Sequence, residues 1–95
     1  MRDDQFEWHH EKAEQNRRKH GITFEMARDV FNDYFFVAWE DASQDQGEDR
    51  HVILGMVENR LLFVAFTQRG DRFRIISARL AEPFERRRYF NENQT

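Results

Sequence analysis

The residues with the clearest chemistry lie in one segment near the end of the chain, RGDRFRIISARLAEPFERRRYF, from Arg69 to Phe90. It holds seven arginines against three acids (Asp71, Glu82 and Glu85), a formal +4, in a chain whose net charge is −3. A guanidinium is planar and presents its N–H groups as a fork, so it can hold two oxygens of one phosphate at once. Many surface arginines only meet water or a nearby carboxylate, and Asp71 and Glu85 are at hand for that. Because the arginines outnumber the acids, positive potential remains, and phosphate is its natural partner. In RFRIISAR, simple alternation places Arg72 and Arg74 on one face with Ile76 and Ala78. Arg79 falls on the other with Phe73, Ile75 and Ser77. In ERRRY, helical spacing puts Glu85 and Tyr89 on one side, while Arg86, Arg87 and Arg88 fan over the rest. That helix lacks the wide apolar face of a membrane-docking helix.

A second basic pair, Lys19 and His20, closes the run HEKAEQNRRKHG. Cations at a helix C-terminus are stabilised by the helix dipole, which accounts for them without any function. Trp8 suits a core position better than a stacking platform. His9, His10, His20 and His51 follow no HExxH or comparable metal-ligand spacing, so no metal site is expected. No cofactor motif stands out, and none is expected.

The elements that must position these residues can be read from periodicity. QFEWHH alternates like a short strand, and residues 10–21 are rich in helix formers, with Gly21 placed to end the helix. Thr23 can cap a second helix, FEMARDVFN, whose Phe24, Ala27, Val30 and Phe31 form one apolar stripe. Strands are expected over 34–40, 51–57, 60–68 and 72–79, the middle pair joined through ENR and the last pair turning at Gly70. A final helix over 81–92 tolerates Pro83 in its first turn. LLFVAF is apolar throughout, so both sheet faces should be covered at its centre. The order gives an α+β domain spanning 1–95: two N-terminal helices on an antiparallel sheet of about four strands, then a C-terminal helix.

Composition agrees. A mean hydropathy of −0.96 hints at disorder, but ten Phe, two Trp and two Tyr supply a core. Without cysteine, disulfides and thiolate metal sites are excluded. EDASQDQGED (40–49) has five acids and no base and reads as an exposed loop; NENQT reads as a frayed tail. MRDDQFEWHH has no signal-peptide core, and the longest apolar run has six residues, so a cytoplasmic protein is expected.

Three stretches together, FEWHHEKAEQNRRKHGITFEMA (6–27), ILGMVENRLLFVAFTQRGDRFRIISAR (53–79) and ERRRY (85–89), resemble the BrnT family of toxins. The pieces F-x-W, K-x-x-x-N-x-x-K-H-G-I-x-F, R-G-D-R-x-R-I-I-S-A-R and E-R-R-x-Y stand in the family's order and spacing. His9 departs from the family's usual Asp. The resemblance implies a RelE-like fold, intracellular endoribonuclease activity that inhibits translation, and neutralisation by a ribbon-helix-helix antitoxin of the BrnA type. Such a reaction needs a group to take the 2′-OH proton, another to protonate the leaving 5′-oxygen, and cations for the charge between them. On this reading Lys19, His20, Arg74, Arg79 and Tyr89 are the catalytic candidates. Lys19 would meet phosphate, His20 would serve as acid or base near neutral pH, and Tyr89 would stack on a base or donate a proton. Arg69, Arg72, Arg86, Arg87 and Arg88 are the RNA-binding candidates. Removing Arg74 or Arg79 is expected to harm activity more than folding. The antitoxin is expected to mask the basic face. The alternative is a non-catalytic protein- or nucleic-acid-binding module of a transcriptional regulatory complex. The chain has no helix-turn-helix or ribbon-helix-helix pattern, so DNA contact is expected only through the antitoxin.

Overall fold

Short-range chemistry sets most of the element boundaries in the computed structural model, which describes residues 5–41 and 49–94. The strand β1 (Phe6–Trp8) leads into α1 (His10–His20). Gly21, at φ +74°, closes α1 by donating its N–H to the Arg17 carbonyl at 2.8 Å. The Thr23 hydroxyl accepts from Met26 N–H at 3.1 Å and starts α2 (Phe24–Asp29). The expected second helix is shorter than its apolar stripe, because Val30–Asn32 tightens into one 3-10 turn. The strands are β2 (Val37–Glu40), β3 (Arg50–Val57), β4 (Arg60–Arg69) and β5 (Arg72–Leu80), and α3 spans Pro83–Glu92. Glu58 and Asn59, both at positive φ, make the β3–β4 turn, and Gly70 at φ +64° helps make the β4–β5 turn.

The sheet corrects the expected count and direction. It has five strands in the order β1-β5-β4-β3-β2, and β1 runs parallel to β5 while the other pairs are antiparallel. The strand expected over 34–40 begins only at Val37. Asp33 captures the preceding amides: its Oδ1 accepts from Phe35 N–H at 2.9 Å and its carbonyl from Phe36 N–H at 3.1 Å. Most of the acidic loop, 42–48, lies outside the described residues. The expected frayed tail is partly held, since Asn93 Nδ2 donates to the carbonyls of Phe35 (3.0 Å) and Tyr89 (2.8 Å).

α1 and α2 pack on one face of the sheet. Ile22, Phe24, Ala27 and Val30 lie against Ile53, Leu62, Val64, Ile75 and Ala78, all nearly or fully buried. Burying one such large side chain contributes about 1.5–3 kcal/mol. The opposite face carries α3, where Tyr89 packs with Val37, Leu54 and Leu61. LLFVAF is therefore covered on both faces, as its unbroken apolar run suggests.

Candidate functional site

The last strand does not alternate simply. Ala65 pairs with Ser77 and Phe66 with Ile75, which leaves Ile76 as an extra residue in a bulge. A bulge inverts the inside–outside phase of everything beyond it. Phe73, Ile75 and Ala78 consequently share the helix-covered core. Arg72, Arg74, Ser77 and Arg79 are thrown together on the face that carries α3. The two-faced arrangement expected from strict alternation is thus corrected, and the correction concentrates positive charge.

Arg79 is held on three sides. Its two Nη atoms each donate to one oxygen of Glu85 at 2.9 Å, and Nη1 also donates to the Leu80 carbonyl at 3.1 Å. The guanidinium lies 4.1 Å over the Phe63 ring, its cross-strand partner. Glu85 is 2% exposed, and its Oε1 also accepts Glu82 N–H at 2.8 Å in the capping box that starts α3. The bond to Glu85 raises the Arg79 pKa against the opposing effect of burial. This end-on pairing takes the tips of the guanidinium. Its lateral edge, formed by Nε–H and the second Nη2–H, has no partner among the described residues. A preset lateral fork of this kind matches two oxygens of a phosphate.

Arg74 shows the opposite arrangement. Its Nε and Nη2 both reach Glu7 Oε2 at 2.8 Å, so its lateral edge is taken up in tying β1 to β5. Arg69 and Arg72 face each other where β4 turns into β5, about 20 Å along the strand from Arg79 at 3.3 Å per residue. On α3, Arg88 pairs with Glu92 at 2.7 Å and lies 3.9 Å over Trp39. Arg86 sits 5.7 Å from the Phe90 centroid. Among the described residues no acid pairs with Arg72, Arg86 or Arg87, so the expected positive surplus persists on this side; Lys19, on α1, likewise has no acidic partner among them.

Tyr89 is placed where it can neither stack on a base nor reach a substrate. It is 5% exposed, and its hydroxyl donates to Asp33 Oδ2 at 2.5 Å. Burial, and then the neighbouring carboxylate, push its pKa well above the ordinary phenol value. Burial alone would raise the Asp33 pKa. The hydrogen bonds it accepts from Tyr89, Met56 N–H (2.8 Å) and Phe35 N–H outweigh that and hold it below the usual carboxylate value. Tyr89 is thus the anchor of α3.

Lys19 and His20 lie at the unpaired edge of β5. β1 pairs only as far as Ile75, and beyond that point Asn16 of α1 takes the place of a strand. Its amide donates to the Ala78 carbonyl at 2.8 Å and accepts the Ala78 N–H at 3.1 Å. A groove of about 260 Å³ follows, lined by Lys12, Gln15, Asn16, Lys19, His20, Ile76 and Ser77. Ser77 connects the two sets of candidates: it lines this groove and stands two residues from Arg79 on the same side of the strand. Trp8 packs edge-on against Phe24 at 6.0 Å, a core position. The histidines do not gather. His10 and His20 lie at opposite ends of α1, His51 stacks on Phe66, and among the described residues no three His, Asp or Glu side chains could hold a metal ion.

Sequence reasoning missed Asn16, Phe63, Trp39 and Asp33. Asn16, beside Gln15 in a helix otherwise full of charge, carried a weak signal; the others read as ordinary strand or turn residues. A family model described as the ribonuclease toxin BrnT of type II toxin–antitoxin systems matches residues 8–85. The chain belongs to the BrnT family. A comparison with curated proteins gave no match. The matched stretch contains Lys19, His20, Arg74, Ser77, Arg79 and Glu85, whereas Arg86–Arg88 and Tyr89 follow it. As a member of the BrnT family the chain is a ribonuclease toxin, and a type II system provides it with an antitoxin partner. Among the described residues no helix is long and apolar enough to cross a membrane.

Proposed function

We propose that this BrnT-family toxin is a metal-independent endoribonuclease whose site straddles the free edge of β5. The observation that carries this reading is the lateral fork of Arg79, held by Glu85 and Phe63 one step from Ser77 and the Lys19–His20 groove. Arg79 grips two oxygens of the scissile phosphate and stabilises the charge that grows on them. His20 takes the proton from the ribose 2′-OH, and the 2′-oxygen attacks phosphorus. The bond from phosphorus to the 5′-oxygen breaks, and Lys19 supplies that oxygen with a proton. The products are a 2′,3′-cyclic phosphate and a 5′-hydroxyl. Arg72, Arg86 and Arg87 guide the flanking backbone by charge, with Arg69 and Arg88 at the margins of the same face. Arg74 acts mainly as a staple, and Tyr89 takes no part in the chemistry.

In the cell this activity inhibits translation in the cytoplasm, and a ribbon-helix-helix antitoxin of the BrnA type holds it in check. Contact with DNA comes only through that complex. The helices on one sheet face and α3 on the other support a RelE-like arrangement. The deciding experiment uses a short RNA with a single cleavage site and the same RNA carrying one 2′-deoxy sugar there. Cleavage of the first with a cyclic phosphate end, undiminished in EDTA, and none of the second is expected. Cleavage of the deoxy substrate, or complete loss in EDTA, refutes internal transesterification. Tight RNA binding without cleavage would favour the non-catalytic module.

A further inference from the structure

The proposed reaction makes no use of an aromatic platform beside α3. Tyr34, Phe35 and Phe36 are 92%, 54% and 48% exposed, and Phe90 is 46% exposed. Clustered apolar exposure in so polar a chain marks an interaction surface. The platform is built, not loose. Asp33 fixes the backbone of Phe35 and Phe36, and Asn93 of the α3 terminus clamps the Phe35 carbonyl at 3.0 Å. Phe90 stands edge-on to Tyr89 at 5.1 Å, and the Tyr89 hydroxyl returns to Asp33. Two elements thereby hold these rings in one surface around a buried tyrosine. A preset apolar surface binds without first having to be ordered.

We infer that this platform is the docking site of the antitoxin, taken by a segment carrying apolar side chains flanked by acids. The inference rests on the reading of the chain as a toxin held by a protein partner. The acids are called for by Arg86, which lies over Phe90, and by Arg87; neither has an acidic partner among the described residues. A second copy of this chain suits the surface poorly. A two-fold contact would bring this positively charged patch against a second copy of itself, and like-charged patches so placed repel. A segment seated here passes over α3 toward Arg88 and Arg79, which obstructs the RNA face without needing to fill it.

The test uses the purified toxin and a purified ribbon-helix-helix antitoxin of the BrnA type, the partner class proposed above. Tyr34→Ser and Phe35→Ser remove rings only, since the hydrogen bonds of this turn use backbone groups and Asp33. Each is expected to weaken the complex by about 30-fold or more, the scale of an aromatic hot spot. The loss should appear mainly as faster dissociation. RNA cleavage by the free variants should match wild type while inhibition by the partner weakens in parallel. Unchanged affinity in both variants overturns the platform. Loss of RNA binding would assign the rings to RNA, and loss of self-association in sedimentation would assign them to a second copy; either overturns it as well. If the wild-type toxin fails to bind that antitoxin at all, the reading of the partner fails before the platform is reached.

Discussion

Arg79→Lys separates charge from geometry at the proposed site. Arg79→Ala cannot do so cleanly. It would strand the Glu85 carboxylate, 3% exposed as a side chain, and stranding a buried charge costs about 3–5 kcal/mol. Arginine removal at this position is therefore expected to cost stability as well as activity. Lysine keeps a cation facing Glu85. It loses one of the two bonds to that carboxylate, the bond to the Leu80 carbonyl and the flat contact with Phe63. Arg79 is about one-third exposed, so those losses are moderated by water. They amount to roughly 1–2 kcal/mol, a fall in melting temperature of about 4–16 °C for a domain this size.

Activity should respond far more. Lysine has no lateral fork, so the donors aimed at the phosphate disappear while the charge stays. Losing one transition-state donor costs about 10²–10³ in rate. Single-turnover cleavage of a labelled RNA, measured at 20 °C where the variant remains folded, reads this directly. Arg74→Ala is the comparator: its lateral edge is occupied by Glu7, so it should slow cleavage by less than about tenfold, the effect of a disturbed staple rather than a lost donor. If Arg79→Lys cleaves at the wild-type rate while its melt shifts as expected, the lateral fork takes no part in the reaction. If Arg74→Ala is the more damaging of the two, the phosphate lies nearer the β1 end of the strand.

Two further outcomes follow from the same structure. The Asp33 carboxyl is held below its ordinary pKa, so its stabilisation is present above the unfolded value near about pH 4 and is lost as pH falls through the folded one. Asp33→Asn should cost about 2 kcal/mol at pH 7 in urea unfolding. That gap should close toward pH 3, and a gap unchanged with pH would mean the charge on Asp33 is immaterial. Arg87→Ala should weaken RNA binding uniformly across sequences and reduce the slope of log affinity against log salt by about 0.7, the share of one phosphate on a single strand; an unchanged slope would place Arg87 outside the RNA path.

The elements of this fold are legible in its sequence where local rules govern them. Gly21 and Thr23 mark a helix end and a helix start by their own backbone chemistry, and LLFVAF marks a strand covered on both faces by its unbroken apolarity. The arginine surplus of 69–90 is likewise a matter of counting. What sequence does not carry is phase. Nothing in RFRIISAR announces that Ile76 is the extra residue, because a bulge is decided by how β5 matches β4 across the ladder, a long-range pairing. Yet that one residue decides whether Arg79 shares a face with Arg74 and whether Ser77 reaches both it and the α1 groove. Tyr89 fails for a related reason. Its spacing from Glu85 correctly puts both on one side of the helix, but which side is buried depends on Asp33, more than fifty residues earlier in the chain. The two residues that face inward in ERRRY are therefore the ones that hold the helix in place. Glu85 alone also reaches toward the candidate chemistry, because the carboxylate that caps the helix is the one that orients Arg79.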